Sequence, residues 1–208
     1  MIPETSQSTG PANPANPANP TNPTESVRLM RGDTSRHRLV EAAWQYFGQP
    51  VFRLSFHNWY GLRRRLLNAF GAQIHPAARI RPTVRISHPW QLSVGAHTAI
   101  GDNAILFCLG PISIGSRCTI SQYVHLCSGS HDYTKREMPL INDPITIEDD
   151  VWLAADVFVG PGVTVGVDTV VGSRSTVMHS LPPRSICAGD NAVRLAKRVV
   201  HPIRAGSP

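Results

Sequence analysis

The 208 residues carry only 7% aromatic and 16% charged side chains but 16 glycines and 18 prolines, so the apolar 41% consists mostly of small aliphatics. That composition favours β architecture over a helical bundle. The formal charge of +6 is unevenly spread, −2 over residues 1–26, +6 over 27–71 and +2 over 72–208; no nucleic-acid-binding motif accompanies the basic stretch, and no apolar run approaches the roughly 20 residues of a membrane span.

Six of the prolines fall within the first 23 residues, and residues 1–26 read as a low-complexity Pro/Asn-rich tail outside the core. The remaining 182 residues suit one domain. Residues 27–71 read as a helical region. Its first helix spans 33–48, capped by Asp33, Thr34 or Ser35, with Val40, Ala43, Trp44 and Phe47 on one face and Gly48 with Pro50 as its stop. A second, capped by Asn58 and ended by Gly71, repeats Trp59, Leu62, Leu66 and Phe70 at helical spacing, with Arg63, Arg64 and Arg65 largely off that face. The apolar stripes are expected to dock on the rest of the domain. The arginines read either as a solvated face or as contact with an anionic partner such as membrane lipid, so peripheral membrane association stays open.

From Ile74 the period changes. A branched aliphatic or Leu recurs every six residues: Ile74, Ile80, Ile86; Val94, Ile100, Leu106; Ile114, Ile120, Leu126; Ile147, Leu153, Val159; Val165, Val171, Val177. A small residue often follows, as at Gly95, Gly101 and Gly115, and position five is usually small or β-branched. Neither a helix nor an alternating strand has period six; three short strands per coil do, each presenting one aliphatic inward. About five coils result. Two steps of eight residues, Ile86 to Val94 and Leu106 to Ile114, fall at one corner and read as two-residue bulges. Residues 72–190 are the β-helix, and 191–208 a C-terminal cap or tail. Cys108, Cys118, Cys127 and Cys187 show no CxxC spacing; with no signal peptide recognised, they read as reduced thiols of a cytoplasmic protein.

After Leu126 the pattern resumes only at Ile147, so Asp132–Thr146 is an excursion, and His131 is the residue before it. A loop extruded from a regular solenoid is a common place for function. Imidazole titrates near neutrality, which suits it to taking a proton from a hydroxyl.

Cys127-Ser128-Gly129-Ser130-His131-Asp132-Tyr133, Pro144-Ile145-Thr146-Ile147, Val151-Trp152, Gly160-Pro161-Gly162-Val163-Thr164-Val165-Gly166, Val171-Gly172-Ser173 and Ala188-Gly189 together resemble the hexapeptide-repeat acyltransferases. The resemblance covers roughly residues 53–198. With the helix from Trp59 to Gly71, His88-Pro89-Trp90 and Leu109-Gly110-Pro111, it is nearest to the colanic acid (exopolysaccharide) branch, and it extends to maltose, galactoside and nodulation-factor O-acetyltransferases. It implies a left-handed parallel β-helix with an N-terminal helical cap, acetyl-CoA as co-substrate, a saccharide acceptor, no metal and a homotrimer with acyl-donor clefts between subunits. His131 matches the general base. Trp152 matches an aromatic lining the pantetheine and acceptor channel. Ala155 and Ser173 match positions whose main chain meets the pantetheine arm, and Met178 and His179 occupy the corner near the nucleotide. Arg194, Lys197 and Arg198 stand near the positions of phosphate-binding residues, displaced by about one place. Cys108 stands where relatives commonly have an acceptor-binding Asn, and Asp132 joins it as a substrate-contact candidate. Arg174 replaces a usual Gly at a turn.

Three other readings stand beside this one. His97, His125 and His131 do not reproduce the spacing of the zinc-binding carbonic anhydrases of related fold. The repeats alone are compatible with a non-catalytic scaffold. An amino-acid or amine acceptor, as in serine acetyltransferases, is the alternative substrate, although those enzymes usually carry a larger helical domain than residues 27–71 could form.

Overall fold

One inward aliphatic every six residues makes a chain that turns three times per coil, and the computed structural model, which describes residues 34–199, has that geometry. The expected tail over 1–26 and the capping residue Asp33 lie outside the described residues. The chain divides into two compact units, Met1–Arg38 and Leu39–Pro208. Of the first, only the opening turn of a helix is described; the second holds the coil.

Three parallel sheets form the sides of the coil. Face one stacks Gln73–Ile74, Leu92–Val94, Ile112–Ile114, Ile145–Ile147 and Thr164–Val165. Face two stacks Arg79–Ile80, Ala99–Ile100, Thr119–Ile120, Trp152–Leu153, Val170–Val171 and Ser185–Ala188. Face three stacks Arg85–Ile86, Ile105–Phe107, His125–Cys127, Phe158–Val159 and Thr176–Val177. The hexad aliphatics lie in register from coil to coil, as in Ile80↔Ile100↔Ile120↔Leu153↔Val171, and are buried. The residue at position five, as at Thr98, Val124, Val157 and Ser175, is a second buried position.

Five complete coils are followed by part of a sixth, because Leu181 bridges Val165 and Ser185–Ala188 pairs with Val170–Val171. The segment after Val177 therefore continues the stack before it caps it. Val193–Lys197 then turns back antiparallel on Ser185–Ala188 and covers the sheet edge, which would otherwise offer free backbone groups to another chain. The extra residues of the eight-residue steps lie at the corner between faces three and one, in the first case as a 3-10 turn at Pro89–Gln91. Leu92, Ile112 and Ile145, two residues before Val94, Ile114 and Ile147, belong to the same position-five column and lie in register.

Most tight corners place a non-glycine residue in the left-handed region: His97, Asn103, Arg117, Tyr123, Asp150, Asp156, Asp168 and Arg174 have φ between 58° and 62°. Each costs about 1 kcal/mol and turns its side chain out of the coil. Arg174, at 59°, thus occupies a true positive-φ turn and reaches Asp156 at 3.6 Å. The hexad glycines serve a different need. A Cβ on Gly95 would stand 2.6 Å from the carbonyl carbon of Gly115 in the next coil, and one on Gly101 would stand 2.7 Å from the Gln122 nitrogen. These glycines permit close approach between coils.

The N-terminal helices depart from the sequence reading. Helix α1 (Thr34–Ala43) runs into a π turn (Trp44–Gly48) and on into α2 (Gln49–Leu54). Gly48 and Pro50 do not end it, because Pro50 falls in the first turn of α2, where a backbone N–H is dispensable. The missing Cβ of Gly48 leaves room for the Trp44 ring. Trp44 is buried, and its indole N–H donates to the Ile86 carbonyl at 2.8 Å. Helix α3 (Tyr60–Ala69) has no side-chain cap, so Asn58 does not serve as one. Asn68 instead accepts from the Ile74 N–H at 2.9 Å and ties the helix to the first coil.

Phe52 and Leu67 are the buried anchors of α2 and α3, whereas Phe47, Trp59 and Leu62 remain exposed. Arg63 reverses the expectation of an outward arginine triplet. It is 1% exposed; its guanidinium donates to the carbonyls of Ile80, Phe56 and His57 and to Ser55 Oγ at 2.7–2.8 Å. Burial lowers its pKa, opposed by the neighbouring Tyr60, whose ring lies 4.9 Å beneath it. Arg64 donates to the Pro76 carbonyl at 2.6 Å, and Arg65 is exposed.

Gly95→Ala should lower unfolding free energy by about 1–3 kcal/mol, the usual cost of overpacking, read as a shifted urea midpoint at unchanged m-value.

Candidate active site

The excursion is an ordered hairpin. Ser130–His131 pairs antiparallel with Leu140–Ile141, and the Asp132 N–H donates to Pro139 O at 2.9 Å. Its root is fixed by Ser128, a buried residue that the sequence does not single out: Ser128 Oγ accepts from the Gly110 N–H at 2.9 Å and lies 3.0 Å from the Phe107 carbonyl. A Ser inside a Ser/Gly-rich run carries no periodic signal that would mark it.

His131 is exposed, and its Nδ1 lies 2.6 Å from the Met138 carbonyl oxygen. A carbonyl only accepts, so Nδ1 carries a proton, and in the neutral ring Nε2 holds the free lone pair. The hairpin thus sets the tautomer through its own backbone. Asp132 is engaged in the same turn, accepting from the Thr134 hydroxyl at 2.5 Å and its N–H at 3.1 Å, with Lys135 Nζ at 3.1 Å. The Thr134 and Lys135 contacts hold its carboxyl below the usual carboxylate range. Its oxygens are occupied in shaping the loop.

Cys108 requires a correction. Its side chain is fully buried in the core, its thiol faces the Leu106 carbonyl at 3.4 Å, and burial raises its pKa far above that of a free thiol. The chain alternates at Leu106, Phe107 and Cys108, in, out and in, so an acceptor outside the coil meets Phe107 and not Cys108.

Trp152 is 47% exposed on the outer side of face two, and its indole N–H donates to Ser121 Oγ at 3.1 Å. Ala155 and Ser173 follow Leu153 and Val171 at the corner between faces two and three, one coil apart, where the Arg174 N–H donates to the Ala155 carbonyl at 2.9 Å. Met178 and His179 follow face three in the fifth coil, at the same corner from which the His131 hairpin leaves in the third. Met178 is exposed, and His179 Nδ1 lies 3.0 Å from Asn191 Oδ1. Arg194 and Lys197 sit on the exposed return strand at the edge of face two, and Arg198 donates to the Asp150 carbonyl at 3.0 Å. The predicted residues therefore fall in separate strips: His131, Met178 and His179 along the corner of faces three and one, and Trp152 on face two, across the coil from that corner. Among the described residues, no group of three or more His, Cys, Asp or Glu is placed to hold a metal ion.

A protein of Escherichia coli K12 that bears the name of a colanic acid biosynthesis acetyltransferase, WcaF, is 44% identical over 156 residues, which span 75% of this chain and 86% of that protein. The chain belongs to the hexapeptide-repeat acetyltransferases. A structure of a hexapeptide-repeat acetyltransferase from Vibrio cholerae, complexed with acetyl coenzyme A, matches 81% of this chain and 92% of that one with a TM-score of 0.72 at 26% identity. A maltose O-acetyltransferase from Clostridium difficile shares the fold over 81% of this chain and 91% of its own, with a TM-score of 0.72 at 19% identity. No protein-family model matches the chain. Membership makes this protein an acyltransferase.

Three of the four thiols of this acetyltransferase, Cys108, Cys118 and Cys187, are buried, and only Cys127 is half-exposed. Titration of the native protein with an aromatic disulfide reagent should give one reacting thiol, lost in Cys127→Ser. The other three should react only after denaturation.

Proposed function

We propose that the protein transfers an acetyl group from acetyl-CoA to a hydroxyl of a saccharide or exopolysaccharide precursor, with His131 as general base. The observation that carries this reading is the His131–Met138 hydrogen bond, which leaves Nε2 free on an exposed loop. As the acceptor oxygen bonds to the thioester carbonyl carbon, Nε2 takes the hydroxyl proton; when the carbon–sulfur bond breaks, that proton passes to the departing thiolate. Backbone N–H groups at the coil corner would steady the tetrahedral oxyanion. Support for the donor is the acetyl-CoA complex of the Vibrio cholerae protein; support for the acceptor is the name of the Escherichia coli relative and the maltose substrate named for the Clostridium protein.

Trp152 would flank the pantetheine arm and acceptor, the main chain at Ala155 and Ser173 would run beside that arm, and Met178, His179, Arg194 and Lys197 would lie toward the nucleotide. Because His131 and Trp152 belong to opposite sides of one coil, a complete site takes them from two chains. A homotrimer with its clefts between neighbours meets that need. The reaction would take place in the cytoplasm, where acetyl-CoA is made.

His131→Ala should lower turnover by ~10²–10⁴-fold, the range for a lost general base, with thermal unfolding unchanged because the ring is exposed. A transfer assay corrected for acetyl-CoA hydrolysis, run over mono- and oligosaccharide acceptors, measures it; near-normal transfer by the variant removes the assignment.

Tyr46, Phe47 and Leu54 on the N-terminal helices and Phe56 and Trp59 in the link before α3 stand exposed with Arg53 among them, a composition suited to the surface of anionic lipid. No described helix is long and apolar enough to cross a membrane. Sedimentation with phosphatidylglycerol-containing liposomes should show binding that weakens with salt and with Phe47→Ser/Phe56→Ser; no salt-sensitive binding removes this second reading.

A further inference from the structure

Face two is a ramp with Trp152 at its middle. Its strand is the fourth of seven, with the return strand bearing Arg194 and Lys197 at one edge and Arg79–Ile80 at the other. Neighbouring strands are spaced by about 4.8 Å, so each edge lies about 14 Å from Trp152. With the coenzyme assigned to the half toward Arg194, the opposite half is left without an occupant.

That half is not a bare sheet. The outward residues Arg79, Ala99, Thr119 and Trp152 lie side by side in register. Between α3 and this row lies a cavity of about 320 Å³, lined among others by Tyr60, Arg79, Arg81, Thr119, Ser121 and Gln122. The volume is at the lower end of small-molecule sites. Its floor is kept low by Ala99 and Gly101. Its wall nearest the middle of the face is Ser121, whose hydroxyl holds the Trp152 indole, so the cavity opens directly beside that ring.

The lining suits a polyhydroxylated anion. Thr119, Ser121, Gln122 and Tyr60 offer hydroxyl and amide groups. Arg81 is fixed against the Tyr60 hydroxyl at 3.4 Å and pairs with Asp102 at 3.6 Å. Arg79 is exposed and, among the described residues, its guanidinium makes no ion pair or hydrogen bond. A second arginine without a carboxylate, beside one already satisfied, leaves net positive charge for a ligand. Guanidinium groups bind carboxylate and phosphate oxygens through paired donors.

We propose that this cavity receives the acceptor and that the acceptor bears an anionic group, a sugar carboxylate or a sugar phosphate, bound by Arg79 with Arg81 behind it. The assignment rests on the proposed acetyltransferase function and adds the acceptor's charge to it. It makes Arg79 a specificity-determining residue.

Initial rates with methyl glucuronide, methyl glucoside and glucose 1-phosphate test it, together with saturation-transfer NMR of the same probes. At least one anionic probe should exceed the neutral glycoside in kcat/KM by ~10-fold or more, and which one does identifies carboxylate or phosphate. Arg79→Ala should raise the KM of that probe by ~10- to 100-fold, as expected for a lost charged hydrogen bond. It should change kcat less than about threefold and leave the KM of acetyl-CoA alone, with Arg79→Lys recovering part of the loss. Equal use of neutral and anionic probes overturns the proposal, as does absence of any anionic probe from the NMR binding signal. An Arg79→Ala effect on acetyl-CoA instead would assign the cavity to the coenzyme, and a variant that loses its oligomeric state with acceptor KM unchanged would assign it to a subunit contact. Failure of acetyl-CoA to bind by calorimetry would strike the acetyltransferase mechanism itself; acetyl-CoA binding without anion preference would strike only this proposal.

Discussion

Everything in this protein depends on backbone stacked directly on backbone. Each corner passes a hydrogen bond to the next coil, as from Gly95 N–H to Ile114 O at 2.8 Å and from Gly115 N–H to Ile147 O at 2.7 Å. Stacking at that distance leaves no room for a side chain at the hexad glycines, and most tight corners close through a residue in the left-handed region. The interior then admits only the aliphatic column and the small or β-branched column beside it. Low aromatic content follows from a narrow interior, and regularity follows from the requirement that each coil present the same surface to the next.

The same constraint decides where chemistry can be placed. A side chain pointing inward belongs to the core whatever its type, which is why the Cys108 thiol is sealed beside Leu106. A loop can leave without disturbing the stack only at a corner, and the His131 hairpin does so while satisfying its own backbone groups. Groups available for reaction are therefore outward strand residues such as Trp152 and corner residues such as those of the hairpin. These two kinds of position lie on different sides of one coil.

The helical region shows how an electrostatic signature can be absorbed into structure. The +6 charge of residues 27–71 looks in sequence like an advertisement to an anionic partner. Arg63 is instead buried with four hydrogen bonds, and Arg64 caps a carbonyl of the first coil. Conversely, aromatic residues expected to dock, Phe47 and Trp59, are left outside. A helix seated on the blunt end of a β-helix meets carbonyls as well as methyl groups, and an arginine can satisfy several carbonyls at once where a leucine would leave them unpaired.

The sequence by itself determined the coil: a period of six with three short strands per turn gave the register, the buried columns and the existence of the excursion, whereas the structure moves its limits, with His131 inside the hairpin strand and the coil resumed at Ile145 rather than after Thr146. The sequence also exposed the family resemblance that the 44% identical relative substantiates. What tertiary structure decided was direction. Whether Arg63 turned in or out, whether Cys108 faced an acceptor, whether Pro50 ended a helix and whether the final strand continued the stack all depended on neighbours far away in the chain. Periodicity states that a residue recurs on a side; only the packed neighbours determine what that side meets. The cavity beside Trp152 joins Tyr60 of a helix to strands of three successive coils, and no spacing along the chain encodes that meeting.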